Sequence, residues 1–431
     1  TTMQFVSQLH QFRQQGSIRD FRSRMRPRWL FLTIFCKHGN VSVVPDTSKR
    51  PDLMTTPSTA EGTEPWAWLR GDLHTHCEVA EQTGDFVDSI DPRLDFVALT
   101  NHGQKPVFFE QHHMVADLRQ RWSSGIVLSG VEWNAPQGGH ACVVFPPHTD
   151  EAGHAYALAR GFDRHLDGAR PDIAAGMAQL GEIEPGARPV LCFNHPAPGQ
   201  WSSDVIAEYR SHDVGGIVVG LETVHGHQGY NAGACFDLAT YPGCAPGGLA
   251  DTAYGAGPPF SLLAHSDFHI HKQDRLFDYA PGVFNHTLVG VPAGQRTPEA
   301  IFAGLRAGRT CAAQGHWLQL GGFSVIGTEG VSRLGDTWAG GAAQAVFEFD
   351  ADEPLDRVDW LGSLDGGTPG VVAAAGPLPP GHHRVQLDIP AGARGFLRLR
   401  VLSASHERPA PGPTASKGFF TSAILLDSSL G

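Results

Sequence analysis

The feature that most constrains this chain is a recurrence: a short apolar run, long enough for one buried strand, repeatedly ends in a histidine or a carboxylate. Trp66-Ala67-Trp68-Leu69 leads into Arg70-Gly71-Asp72-Leu73-His74-Thr75-His76, and Asp95-Phe96-Val97-Ala98-Leu99 leads into Thr100-Asn101-His102-Gly103. Ile126-Val127-Leu128 leads into Gly130-Val131-Glu132-Trp133, with Gly139-His140 shortly after. Pro189-Val190-Leu191-Cys192-Phe193 precedes Asn194-His195-Pro196, and Phe260-Ser261-Leu262-Leu263-Ala264 precedes His265-Ser266-Asp267-Phe268-His269. One such pairing could be chance in a chain with 23 histidines. Core histidines scattered at random would not sit repeatedly at strand ends. Alternate residues of an extended chain share a face, so His74 and His76 point the same way, roughly 7 Å apart along the strand, close enough to bind one ion.

Stretches of helical pattern separate these runs. Asp117 to Trp122 precedes the strand at Ile126, Ile173 to Ile183 precedes the one at Val190, and Thr297-Pro298-Glu299 opens a helix with Thr as N-cap and Pro at the first helical position. Alternation of this kind predicts an α/β barrel or an open parallel sheet, with chemistry at the C-terminal strand ends. The 431 residues exceed one ordinary domain. From about residue 319 the pattern turns to regular short strands with Gly and Pro turns, which predicts a small β-sandwich. The division expected is a polar tail and linker over 1–65, an α/β barrel or open sheet carrying the strand-end histidines over 66–318 and a β-rich domain over 319–431. Trp29 to Phe35 is apolar but too short to span a bilayer or to serve as a signal-peptide core, and reads as a buried strand or helix turn. The long Gly- and Pro-rich stretch Gly226 to Pro259 reads as a loop covering the substrate or as a surface excursion.

Composition narrows the function classes. With 41% apolar and 18% charged residues the chain can bury a core. A formal charge of −12 argues against nucleic acid held on a basic surface, and no apolar run approaches the ~20 residues that cross a membrane; the partner expected is a small-molecule substrate. The seven cysteines are odd in number and form no CxxC pair, so neither a disulfide framework nor a thiolate zinc cluster is indicated. Reduced thiols favour the cytoplasm, and Cys142 and Cys192, within apolar runs, read as small core residues. Imidazole and carboxylate donors without thiolates suit Zn, Mn or Fe and do not select among them.

Taken together, Asp72-Leu73-His74-Thr75-His76, Thr100-Asn101-His102, Gly130-Val131-Glu132, Gly139-His140, Asn194-His195-Pro196 and Ser266-Asp267-Phe268-His269 resemble the motifs, in the same order, of the PHP (polymerase and histidinol phosphatase) metallohydrolases. Arg306-Ala307-Gly308-Arg309-Thr310, followed by a β-rich tail, is similar more narrowly to the carbaryl-hydrolase-type (CehA/McbA) branch. The resemblance covers about 66–318 and implies a distorted (β/α)7 barrel with two or three divalent ions at one end. It implies that His74, His76, Glu132 and Asp267 hold a first ion, with Glu132 bridging to a second held also by His140 and His195. It further implies a third ion at His102 and His269 with an acidic residue past the first motif, where Glu81 stands and Glu78 competes. Asn101 replaces the usual Asp before His102. In this scheme Glu132, His195 and Asp267 take the catalytic role.

Two ions roughly 3.5–4 Å apart can make a water nucleophilic and neutralise charge on a departing oxygen. Phosphoester hydrolysis is the activity the family implies most directly, carbamate, ester or amide hydrolysis is what the narrower branch implies, and a non-catalytic metal-stabilised binding domain is the third reading. His225 and His227 are alternative donors to the second ion. His271, Lys272 and Arg275 could pair with an anionic substrate, since Arg offers a planar fork to phosphate, or form a solvated cluster.

Overall fold

The computed structural model describes residues 34–36, 39–43, 66–196, 199–224, 226, 238, 241–255, 257, 259–270, 279–407 and 415–427, with backbone alone at 34–36, 39–43, 406–407 and 415–416. The fold is mixed α/β, built on a large and mostly parallel central sheet. Its strands Trp66–Thr75, Phe96–Leu99, Ile126–Asn134, His140–Phe145, Val190–Phe193, Val218–Glu222 and Ser261–Leu263 neighbour one another in chain order. All pair in parallel except His140–Phe145, which runs antiparallel to both of its neighbours. Helices Gln111–Arg121, Glu151–Phe162, Ile173–Gly181 and Ser203–Ser211 fill the connections.

Local sequence accounts for these elements. Phe96–Leu99 and Val190–Phe193 are buried at every position, as strands covered on both faces must be. Helix Pro298–Arg306 begins where the Thr-Pro signal places it, with the Thr297 side chain accepting from the Ala300 N–H. Gly71 is required by close packing, because a Cβ there would stand 2.1 Å from the Phe96 ring.

The two ends of this run of strands come together at the backbone. Thr75 and Phe268 form a parallel bridge, Asp267 N–H donates to the His74 carbonyl at 2.9 Å, and His76 N–H donates to the Phe268 carbonyl at 2.9 Å. The chain just past the last strand is thereby fixed to the end of the first.

The opposite edge of Trp66–Thr75 carries antiparallel strands. It pairs with Asn285–Pro292, which pairs with Thr310–Gln314, which pairs in turn with Ala415–Thr421. The β-rich C-terminal part is therefore hydrogen-bonded into the same sheet, and every described residue belongs to one compact unit beginning at Ile34. A second, six-stranded sheet holds Leu318–Gly327, Gly330–Arg333, Ala343–Ala351, Gly381–Ile389 and two strands from the stretch read above as tail, Ile34–Cys36 and Gly39–Val43. That hairpin pairs with Gly381–Ile389, Val41 against Leu387 and Val43 against Val385. One apolar cluster takes Phe323, Phe347 and Leu387 from the six-stranded sheet and Val358, Trp360 and Leu399 from the large one.

The stretch Gly226 to Pro259 is packed at its far end. It contains helix Leu249–Gly255, whose Ala250, Asp251, Ala253 and Tyr254 are buried. Asp251 pairs with Arg398, both fully buried, and this fastens the helix to strand Arg394–Glu407. Among the described residues no helix is long and apolar enough to cross a membrane.

Candidate metal centre

The sheet delivers the histidines and carboxylates to one end. His74 and His76 lie at and just past the end of Trp66–Thr75, His102 follows Phe96–Leu99, His195 follows Val190–Phe193, and Asp267 and His269 follow Ser261–Leu263. His140–Phe145 is reversed, so its first residue rather than its last arrives there.

Glu132 stands in the middle. Its Oε1 lies 2.9 Å from His140 Nδ1, 3.1 Å from His74 Nε2 and 3.2 Å from His195 Nε2. Its Oε2 lies 2.8 Å from His102 Nδ1 and 3.4 Å from His76 Nε2. Asp267 Oδ1 is 3.2 Å from Nε2 of both His74 and His76 and 3.7 Å from His269 Nδ1. Three groups have donor atoms within 4.8 Å of one another: His74, His76, Glu132 and Asp267; His102, Glu132 and His140; and His76, His102 and His269. The first is wholly buried and could hold a metal ion.

Several of these atoms converge without bonding to one another. Nδ1 and Nε2 of His76, Nδ1 of His102 and Oε2 of Glu132 are all buried with no hydrogen-bond partner, although His102 Nδ1 and Glu132 Oε2 are only 2.8 Å apart. Buried polar atoms are otherwise nearly always satisfied. Donors that crowd a common point while missing hydrogen-bond geometry fit a cation better than they fit each other.

The backbone carries strain at the same place. Among the described residues other than glycine only Gln137, His195 and Asp267 have positive φ, and the last two, at 27° and 50°, belong to this cluster. A non-glycine residue held there costs of order 1–3 kcal/mol and persists only where its surroundings compel it.

The charges are mutually dependent. Burial would push the Glu132 carboxyl up, but His102, His74 and His140 outweigh it and hold it well below the usual carboxylate range. Burial likewise opposes the charge on Asp267, and His74 with His76 and His269 hold that carboxyl well down. Burial would lower His74, yet Asp267, Glu132 and Glu222 raise it well above the ordinary imidazole value. His195 is raised to about 9, against its burial, by Glu132 and Asp267. His76 goes the other way, lowered by burial and by His269 beside it. Ionised acids set among several imidazoles form a donor set suited to a divalent cation.

Some expected residues are not brought in. Glu81 sits on the single turn Ala80–Gln82 and, like Glu78, is exposed and outside all three groups. The Asn101 side chain accepts through Oδ1 from the Cys77 N–H. His225, His227, His271, Lys272 and Arg275 lie outside the described residues. The five cysteines whose side chains are described, Cys77, Cys142, Cys192, Cys244 and Cys311, are buried free thiols, and none belongs to a donor group.

The structure also supplies residues that sequence reasoning passed over. Glu222, at the end of Val218–Glu222, accepts from His74 Nδ1 at 2.8 Å and from the His195 N–H at 2.6 Å. The signal was present, since Ile217 to Leu221 is another apolar run ending in a carboxylate. Asn194 Nδ2 donates to Glu132 Oε1 at 3.1 Å. Asp72, read only as part of a motif, accepts from the N–H groups of His74 and Ser266 and so holds the two strand ends together.

A cavity of about 790 Å³ lies elsewhere, between helix Leu249–Gly255 and the C-terminal strands, and is lined by none of the clustered residues. The fold and site together define a mixed α/β protein with a buried imidazole–carboxylate centre able to hold a metal ion. Compared with known proteins, the chain matches no family model, no curated protein and no solved structure.

Proposed function

We propose that this chain is a metal-dependent hydrolase of the PHP type, acting on phosphoesters through a centre of two or three divalent ions, Zn, Mn or Fe. The observation that carries the reading is Glu132, buried and within 3.4 Å of five imidazoles, with Asp267 completing the wall beside His74 and His76. The seven neighbouring strands, with the chain beyond Ser261–Leu263 tied to the end of Trp66–Thr75, support a distorted barrel, and the apolar cluster shared by the two sheets supports a C-terminal sandwich.

His74, His76, Glu132 and Asp267 would hold one ion, and Glu132 would share a second with His140 and His195. His102 and His269 would serve a third, without Glu81. Ions bound there supply Lewis acidity and a water that is nucleophilic at neutral pH. The chain's own contribution is to fix the donors: Asn194 steadies Glu132, and Asp72 holds the His74 backbone. His102, His140 and His269 are the partly exposed members, with 16%, 27% and 13% of the side chain accessible, and would form the face a substrate meets.

A panel of p-nitrophenyl phosphate, bis(p-nitrophenyl) phosphate and aryl esters, with Mn or Zn added, tests the assignment. Phosphoester turnover that is lost in Glu132→Gln supports it. Turnover of the aryl esters alone moves the protein to the ester and carbamate reading. No turnover of any of these, with His74→Ala changing only thermal stability, establishes a metal-stabilised binding domain.

A further inference from the structure

We propose that Glu222 is the positioning residue of the centre, setting which nitrogen of His74 faces the metal and holding His195 in its left-handed backbone conformation. The inference rests on the reading of the cluster as a metal centre.

An imidazole ligates through a nitrogen that bears no proton, and the tautomer is decided by what its other nitrogen meets. For His74 that partner is an acid. Nδ1 lies 2.8 Å from Glu222 Oε1, while Nε2 faces Glu132 Oε1 at 3.1 Å and Asp267 Oδ1 at 3.2 Å. An ionised carboxylate only accepts, so the proton of His74 belongs on Nδ1 and the lone pair of Nε2 is turned into the centre.

The second oxygen of the same carboxylate serves another ligand. Oε2 accepts from the His195 N–H at 2.6 Å, a charge-assisted bond to the one residue of that turn whose φ is positive, at 27°. Strain at such a residue needs a specific compensating contact, and this bond provides it. Glu222 is itself held in place. It is fully buried, it ends a strand, and its Oε1 also accepts from His265 Nδ1 at 3.2 Å, while the His265 carbonyl is fixed by Asn285 Nδ2 at 2.9 Å. One side chain thus governs a ring on the first strand and a backbone turn 121 positions later.

The test uses the full chain freed of metal by chelation. Calorimetric titration with Zn(II) is expected to show affinity falling about 10–100-fold in Glu222→Gln, the range typical when the partner of a ligating histidine is lost. The visible spectrum of the Co(II) form should change with it, and Glu222→Asp should recover part of the affinity. In Zn-loaded wild-type protein labelled with 15N at histidine, the long-range 1H–15N spectrum should place the His74 proton on Nδ1, the signal being assigned by its loss in His74→Gln. This measurement decides the matter if Glu222→Gln does not fold. Wild-type affinity and an unchanged Co(II) spectrum in Glu222→Gln, or a His74 proton on Nε2, overturns the proposal while leaving the metal centre intact. Failure of the wild-type chain to take up Zn or Co overturns the metal centre itself, and the role of Glu222 with it.

Discussion

Lowering the pH should destabilise this protein through a histidine that is not in the candidate metal centre. His286, on strand Asn285–Pro292, is 3% exposed and stacks on His316 with ring centroids 4.4 Å apart and planes 7° from parallel. Burial, then the neighbouring His316 and Arg70, lower its pKa from 6.5 to about 3. A histidine depressed in the folded state binds its proton more readily when unfolded, so stability is lost as pH falls from 6.5 towards 3 and is fully present above 6.5. Between pH 7 and pH 5 the unfolded imidazole goes from mostly neutral to almost fully protonated while the folded one stays neutral, which removes about 2 kcal/mol. Because pH 5 lies well above the folded value, that figure depends little on where between 2 and 4 the folded pKa falls. Urea unfolding of the chelated wild type and of His286→Phe, which keeps a ring against His316, at both pH values and followed by tryptophan fluorescence, should show the variant's stability falling less between pH 7 and pH 5 by about 2 kcal/mol. The variant comparison cancels the opposite drift from His74 and His195, whose pKa values are raised. Equal pH dependence in the two proteins would refute the reasoning.

Other outcomes follow from the same geometry. Asp251→Ala leaves Arg398 buried with one remaining bond, Nη2 to the Cys244 carbonyl at 3.3 Å, and should cost about 3–5 kcal/mol by denaturant midpoint; a loss under about 1 kcal/mol would mean the pair is not shielded from solvent. Elemental analysis should find Glu81→Ala with the metal content of wild type and His102→Ala with less; the reverse would restore Glu81 as a ligand. Zn at a hundredfold excess over its dissociation constant should raise stability by about 2.7 kcal/mol, an increment that should vanish in His74→Ala if that ring is a ligand.

The strand ends were legible because two local signals coincide at each: an apolar run fixes the strand, and the polar residue that stops it lands at the rim. Helix Pro298–Arg306 was legible for the same reason, its Thr297 cap and Pro298 being written side by side. What escaped was nonlocal. The pairing of Cys311 with Thr421 joins residues 110 apart that carry no mark of each other, so the C-terminal strands read as a separate body. The apolar run Trp29 to Phe35 suggests a strand or helix turn, but no local periodicity announces that Ile34–Cys36 and Gly39–Val43 complete an edge beside Gly381–Ile389. Glu222 carried the right signal but was overshadowed by His225 and His227, since a histidine attracts a metal reading sooner than the acid that aims one.

The continuity of the large sheet through Thr310–Gln314 into Ala415–Thr421 has a practical corollary. A protein shortened at residue 319 would bare the Cys311 to Ala313 ladder and the apolar residues beneath it, an open edge of the kind that recruits other chains. Such a fragment should precipitate instead of yielding a free-standing domain, and changes meant to alter the surroundings of the histidine–carboxylate cluster belong in the connections above the strand tips, where no ladder is cut.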